Sequence, residues 1–194
     1  YAGINRPDII QREGNYPAPS NHSQILGLEV SGIVHEIGSK VKRFEKGDEV
    51  AALVNGGGYA EYCVSEEDTT FKIPKNISLK EAATIPECYF TVWSNLVMRY
   101  GLRENQKVLV HGGTSGIGLA ALQILKLFGS EIFTTVGNTT KKEFCENIGI
   151  KNVFNYRKQD FFEEIKTTHK DGIDIILDYV GGDYINKNIN LLRN

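Results

Sequence analysis

Cysteine, methionine and tryptophan are scarce in this chain, and long apolar runs are absent. Cys63, Cys88 and Cys145 are odd in number and widely spaced, which excludes a disulfide framework or a C-x-x-C zinc knuckle and leaves free, buried thiols as the expectation. No apolar run approaches the roughly 18 residues that cross a bilayer, and no basic-then-apolar segment opens the chain as a signal peptide would. The cytosol is the expected compartment and no membrane partner is expected. Basic and acidic residues nearly balance, 22 against 24, and the basic ones are scattered, so nucleic acid finds no track to follow. The absence of G-x-x-x-x-G-K-[ST] excludes a Walker-type hydrolase. The sequence opens on Tyr1 and stops at Asn194 after a helix-like stretch, and reads as part of a longer protein.

What is present is a globular composition, 41% apolar and 24% charged, enough for one good core or two small ones. Residues 30–37, 49–54 and 59–65 read as short strands broken by glycine. In the third, Ala60, Tyr62 and Val64 alternate with Glu61, Cys63 and Ser65 as in a half-buried strand. Ser78-Leu79-Lys80-Glu81 fits a capping box and predicts a helix from Leu79. A second helix is expected over 90–100, with Trp93, Leu96 and Val97 inward and Met98 in the core. Beyond Gly101 strands alternate with helices: strands 107–110, 131–136, 153–156 and 173–179, helices 115–128, 141–148 and 160–168. That order predicts βαβ units and a parallel sheet. The expected domains are residues 1–88 and 89–194.

The run His111-Gly112-Gly113-Thr114-Ser115-Gly116-Ile117-Gly118 lies between the first of these strands and its helix. Free amides and the positive helix end converge at such a turn and suit a phosphate. Gly113, Gly116 and Gly118 supply the tight turn, the approach of a pyrophosphate to the backbone, and close packing of helix on strand. An acidic residue at the end of the second strand would favour NAD; instead Gly137-Asn138-Thr139-Thr140-Lys141-Lys142 offers donors and cations that suit a 2′-phosphate, so NADPH is the expected cofactor. The glycine spacing also fits the short-chain dehydrogenases, but no tyrosine here has the lysine four residues on that their proton transfer requires.

The first half then becomes informative. Gly27-Leu28-Glu29-Val30-Ser31-Gly32, the stretch from Ile37 to Val50, Gly58-Tyr59-Ala60-Glu61-Tyr62 and Ala82-Ala83-Thr84-Ile85-Pro86 resemble the medium-chain dehydrogenases/reductases. Gly3-Ile4-Asn5-Arg6-Pro7-Asp8, Ile85-Pro86-Glu87 and Phe154-Asn155-Tyr156 resemble its zinc-free NADPH:quinone oxidoreductase branch, which includes zeta-crystallin. The resemblance implies an α/β protein, with an incomplete Rossmann-type parallel sheet for the nucleotide and an incomplete, β-rich GroES-like catalytic domain. It also implies reduction of a small quinone or conjugated enone, and a homodimer in the full-length protein. Where the zinc enzymes carry cysteine and histidine, this chain has Asn5 and Leu28, which offer zinc neither thiolate nor imidazole; Glu29 is then a structural hydrogen-bond or ion-pair partner.

By the same resemblance Asn5 and Tyr16 stand at the nicotinamide and substrate, against plainer readings as a turn-capping amide and a packed loop aromatic. Thr91 positions the nicotinamide, or is an ordinary helix hydroxyl. Gly113, Thr114, Ser115, Gly116, Ile117 and Gly118 hold the pyrophosphate, and Gly137, Asn138, Lys141 and Tyr156 the adenosine and its phosphate. His111 and the pair Phe161 and Phe162 read as structural. A non-catalytic, crystallin-like NADPH-binding module is the alternative of a different class.

Overall fold

A computed structural model gives the fold of residues 1–193, which divide into two compact units, Tyr1–Thr91 and the chain from Val92 onward. The first unit is built on strands β1 (Glu29–Ile33), β2 (Glu49–Leu53) and β3 (Thr70–Lys72). They pair antiparallel in that order, with Glu29 opposite Leu53 and Ala51 opposite Phe71. Helices α1 (Arg6–Arg12), α2 (Leu79–Ala82) and α3 (Pro86–Val92) accompany the sheet. The capping box forms at α2: Glu81 N donates to the Ser78 hydroxyl at 3.3 Å and Ser78 N to the Glu81 carboxylate at 2.9 Å. α3 opens on a proline, whose missing N–H costs nothing in a first turn, so this helix starts at Pro86 rather than at the expected Phe90.

The strand expected over 59–65 does not form. Gly57, Gly58 and Tyr59 donate their amides to the carbonyls of Ile25, Gly27 and Leu26 at 2.7, 3.1 and 2.9 Å, so the glycine run docks on the segment before β1 and leads the chain off the sheet. β3 takes the free edge of β2 instead. Without a partner strand the alternation buries nothing: Tyr62 and Val64 are 71% and 90% exposed. Helix winding explains a second difference. From Trp93 to Arg99 the helix is π-wound, with Tyr100 N reaching back five residues to Asn95 O at 3.2 Å, which rotates side chains away from the positions an α-helix gives them. Val92 and Leu96 are buried, whereas Trp93 and Met98, both expected inside, are 47% and 73% exposed.

The second unit is a parallel sheet in the order β6-β5-β4-β7, formed by β4 (Lys107–His111), β5 (Glu131–Val136), β6 (Asn152–Asn155) and β7 (Ile175–Leu177). Helices α4 (Gly116–Leu127), α5 (Thr139–Asn147), α6 (Phe161–Thr168) and α7 (Tyr184–Leu191) follow the four strands in turn. The expected α/β class with a parallel sheet is thus what forms; the strand expected over 173–179 is shorter, with a lone parallel bridge between Ile173 and Leu192 beside it. β4 is covered on both faces. Leu109 packs with Phe133, Phe161, Ile165, Ile173 and Leu191, so by strand alternation Val108 and Val110 face the other way, the side of α4 and its buried Ala121, Leu122 and Leu125. Phe162 packs at the margin of the first cluster. Of the cysteines only Cys145 is buried; Cys63 and Cys88 are half-buried, and all three are free thiols. Among the described residues no helix is long and apolar enough to cross a membrane.

α4 leaves β4 through a turn with no room for a β-carbon at Gly113 or Gly118. A β-carbon at Gly118 would run into the Gly112 carbonyl oxygen and lie 2.8 Å from Gly113 Cα, and one at Gly113 would strike the Thr134 hydroxyl. Below the turn His111 is buried and hydrogen-bonded, as expected, in a network that dictates its tautomer. Asp178 Oδ2 can only accept, and takes Asn188 Nδ2–H at 3.0 Å, so Asn188 turns its oxygen to His111 Nε2 at 2.9 Å. Nε2 therefore carries the proton. Nδ1 is left as acceptor for the Thr135 hydroxyl at 3.1 Å, and that hydroxyl accepts from Gly112 N at 3.2 Å. Burial pushes the His111 pKa down, against the opposing pull of Asn188 and Asp178.

Two outcomes follow from these contacts. Because the folded pKa of His111 lies below its unfolded value of about 6.5, its contribution to stability is complete above that pH. Below it the unfolded chain takes up a proton first, and the contribution is lost as pH falls through the folded pKa. Urea melts of His111→Gln should show a flatter dependence than the parent just below pH 6.5, and parallel curves would exclude this role. Gly118→Ala should lower the unfolding free energy by about 1–3 kcal/mol through overpacking; an unchanged melt would contradict the close approach.

Candidate functional site

Gly113 to Gly118 form a turn at the carboxyl end of β4. Ser115 is the N-cap of α4, its hydroxyl accepting from Gly118 N at 3.0 Å and donating to Gly112 O at 2.9 Å. Gly113 N bonds Thr135 O at 3.0 Å and Ser115 N bonds Gly112 O at 2.9 Å. The amides of Gly116 and Ile117 sit in the first helical turn, with no carbonyl four residues back to accept them. They are donors at a positive helix end beside backbone stripped of side chains, which is what an anion such as a diphosphate requires. Thr114 is half-buried in the same turn.

The parallel register brings the second group to the same edge of the sheet. His111 lies opposite Thr135, and Val136 opposite Asn155, so the turns after β4, β5 and β6 open side by side. Tyr156 N donates to Val136 O at 3.1 Å, and a β-carbon at Gly137 would lie 2.8 Å from the Tyr156 hydroxyl: the phenol rests over Gly137 because Gly137 has no side chain. Asn138 is the N-cap of α5, its amide oxygen accepting from Lys141 N at 2.8 Å. That leaves the exposed Lys141 ammonium in the first turn of α5. Tyr156 also walls a hollow of about 290 Å³ that carries Arg157, Lys158 and Lys187 with one acid, Asp160.

Asn5, Tyr16 and Thr91 belong to the first unit. Asn5 caps α1, and its Nδ2 donates to Glu29 Oε1 at 2.8 Å. Tyr16 is exposed on the turn segment after α1, and Thr91 is half-buried on α3. Glu29 has the expected structural part: its second oxygen accepts from Glu87 N at 3.0 Å. Gly3 makes room for it, since a β-carbon there would collide with Oε1. Burial pushes the Glu29 carboxyl up, with Asp8 adding to this against its two hydrogen bonds. Burial likewise raises Glu87, helped by Glu29 and Asp8. It also pushes the Cys88 thiol up to about 11, so Cys88 is no ready nucleophile. The set does not fit zinc. Asn5 and Leu28 supply no zinc donor, both Glu29 oxygens are engaged, and among the described residues no three His, Cys, Asp or Glu side chains converge on a common point.

Two contacts lie beyond the reach of sequence pattern. Tyr179, past the end of β7, reaches the glycine turn with its hydroxyl 2.7 Å from Ser115 Oγ and 3.0 Å from Gly112 O, across a sequence gap that no spacing rule spans. Glu87 enters the Asn5–Glu29 pair through its backbone amide, which no side-chain motif records.

Residues 1–75 match the alcohol dehydrogenase GroES-like domain, and residues 116–194 match the zinc-binding dehydrogenase family. Human quinone oxidoreductase is 32% identical over 192 residues, which are 98% of this chain and 58% of that protein. CurK enoyl reductase superposes with a TM-score of 0.89 at 31% identity, over 99% of this chain and 60% of its own. Escherichia coli quinone oxidoreductase, solved in complex with NADPH, superposes with a TM-score of 0.86 at 32% identity, over 100% of this chain and 60% of its own. The chain therefore spans less than two thirds of these relatives. The short-chain alternative that the glycine spacing allowed falls here, because the likeness takes in the antiparallel sheet as well as the parallel one. With both of its sheets matched, the chain belongs to the medium-chain dehydrogenase/reductase superfamily.

Proposed function

We propose that the intact protein is an NADPH-dependent reductase of quinones or conjugated enones that works without a metal. The observation that carries this reading is the convergence of the glycine turn, Gly137 and Tyr156 at the carboxyl ends of three adjacent parallel strands. The amides of Gly116 and Ile117 would hold the diphosphate, with Gly113, Thr114 and Gly118 shaping the turn. Gly137 and Tyr156 would receive the adenosine. Lys141 and the Asn138 cap would serve the 2′-phosphate, in a stretch where no carboxylate lies between Gly137 and Lys142 to repel it. The complex of the bacterial quinone oxidoreductase with NADPH supports the choice of cofactor.

The donor set supports this substrate class. A side-chain array that does not fit zinc lacks a Lewis acid to polarise an ordinary carbonyl, which favours an acceptor already electrophilic in its own right, as quinones and enones are. Relatives named as a quinone oxidoreductase and an enoyl reductase support both members of that class. NADPH, when bound, supplies the hydride. The chain's part is to orient the reactants and keep water out, and the resemblance assigns Asn5, Tyr16 and Thr91 to the nicotinamide and the substrate.

The intact protein should oxidise NADPH in the presence of a simple quinone, with a rate that a chelator leaves unchanged. Tight NADPH binding without turnover of either quinone or enone would favour a non-catalytic binding module instead. Lys141→Ala should raise the KM for NADPH about three- to tenfold, the scale of one exposed charge-assisted contact, and leave that for NADH alone. Equal losses for the two nucleotides would remove Lys141 from the 2′-phosphate site.

A further inference from the structure

Tyr179 takes part in no strand or helix, yet its half-exposed phenol is hydrogen-bonded to the glycine turn. The residue before it is held at both carboxylate oxygens. Asp178 Oδ1 accepts from Val180 N and Gly181 N at 2.8 and 2.9 Å, and Oδ2 accepts from Asn188 Nδ2 at 3.0 Å. Burial alone would push Asp178 up, but the Gly181 and Val180 amides, with His111 and Asn188, hold it below the usual carboxylate range. The turn is thus fastened by an anion, and from it the phenol reaches across to the glycine loop. There three oxygens form a ring of contacts, Tyr179 Oη with Gly112 O at 3.0 Å, Tyr179 Oη with Ser115 Oγ at 2.7 Å, and Ser115 Oγ with Gly112 O at 2.9 Å, and the two hydroxyl protons fill two of the three at a time, one always on Gly112 O. Gly112, at φ +71°, also admits the phenol by lacking a side chain, since a β-carbon there would lie 3.0 Å from the Tyr179 hydroxyl.

The ring determines which way Ser115 points. A serine hydroxyl at an exposed helix cap has three staggered rotamers, and one of them accepts Gly118 N–H. Tyr179 and Gly112 O together favour that one. Both backbone groups of Gly112 are then engaged, its carbonyl in the hydroxyl ring and its amide on Thr135 in the His111 network. The loop is gripped from its solvent side and from its core side at one residue.

We propose that Tyr179 is a positioning residue for the dinucleotide: through Ser115 and Gly112 its hydroxyl holds the glycine turn in the conformation that presents free amides to the diphosphate. This rests on the cofactor reading above. Its effect is preorganisation, which lowers the ordering cost of binding rather than adding a contact to the ligand.

The test is a double-mutant cycle on the intact protein, with NADPH as the probe, using Tyr179→Phe, Ser115→Ala and the pair. Binding is read by nucleotide fluorescence and turnover by steady-state kinetics. Tyr179→Phe should weaken NADPH about three- to tenfold, the worth of one hydrogen bond, with the effect on KM rather than kcat and an unmoved thermal midpoint. In the Ser115→Ala background the same change should cost clearly less, because one of its two partners is gone. Wild-type protein that binds NADPH, with a Tyr179→Phe variant that binds it equally or more tightly, would overturn this inference alone. So would an equal loss in both backgrounds. Wild-type protein that does not bind NADPH would overturn the cofactor reading and this inference with it.

Discussion

The second unit depends on one steric constraint at the end of β4: α4 begins so near it that Gly118 has no space for a β-carbon, and Thr134 of β5 leaves none at Gly113. Close approach of helix to strand lets the turn between them be short. A short turn leaves the first amides of the helix facing outward with no carbonyl to accept them. The proposed binding capacity would thus be a by-product of packing, since the contact that excludes a β-carbon also bares the backbone. The parallel register then sets this turn beside those after β5 and β6, where Gly137 again yields space, this time to the Tyr156 ring.

A buried polar chain runs beneath that surface. Within a core of leucine, isoleucine and phenylalanine, an unpaired imidazole would be costly. Each member here is instead matched in direction, from the Asp178 carboxylate through Asn188, His111 and Thr135 to Gly112. A carboxylate that can only accept orients everything after it, so a charge at the edge of β7 determines the protonation of a ring inside β4. The first unit shows a related economy. Asp8, Glu29 and Glu87 lie close enough to raise one another's or a neighbour's pKa, and Glu29 is held by an asparagine side chain and a backbone amide rather than by a cation. Where a zinc enzyme would direct its ligands at a metal, this arrangement directs them at each other.

Much of this was legible in the sequence because it is periodic or local. β4 and β5 came through as apolar runs, the start of α2 as a capping box, and the glycine turn as a spacing between a strand and a helix. Three features were not legible, for different physical reasons. Residues 59–65 alternate like a strand, but alternation specifies a face and not a partner, and the partner edge goes to β3. Trp93 and Met98 were misplaced because a window of α-helical period cannot anticipate π-winding. Tyr179 was invisible since its meeting with Ser115 is made by the fold, across 64 residues of chain. Proline at the start of α3 was a usable signal, and it would have moved the helix start to Pro86.

If the turns after β4, β5 and β6 together form a dinucleotide site, binding must quiet their amides in particular. Hydrogen–deuterium exchange of the intact protein, with and without saturating NADPH, measures this directly. The expected result is slowed exchange in residues 112–119, 137–142 and 156–158, with the antiparallel sheet of the first unit little changed. Unaltered exchange in those turns while NADPH is demonstrably bound would contradict the assignment.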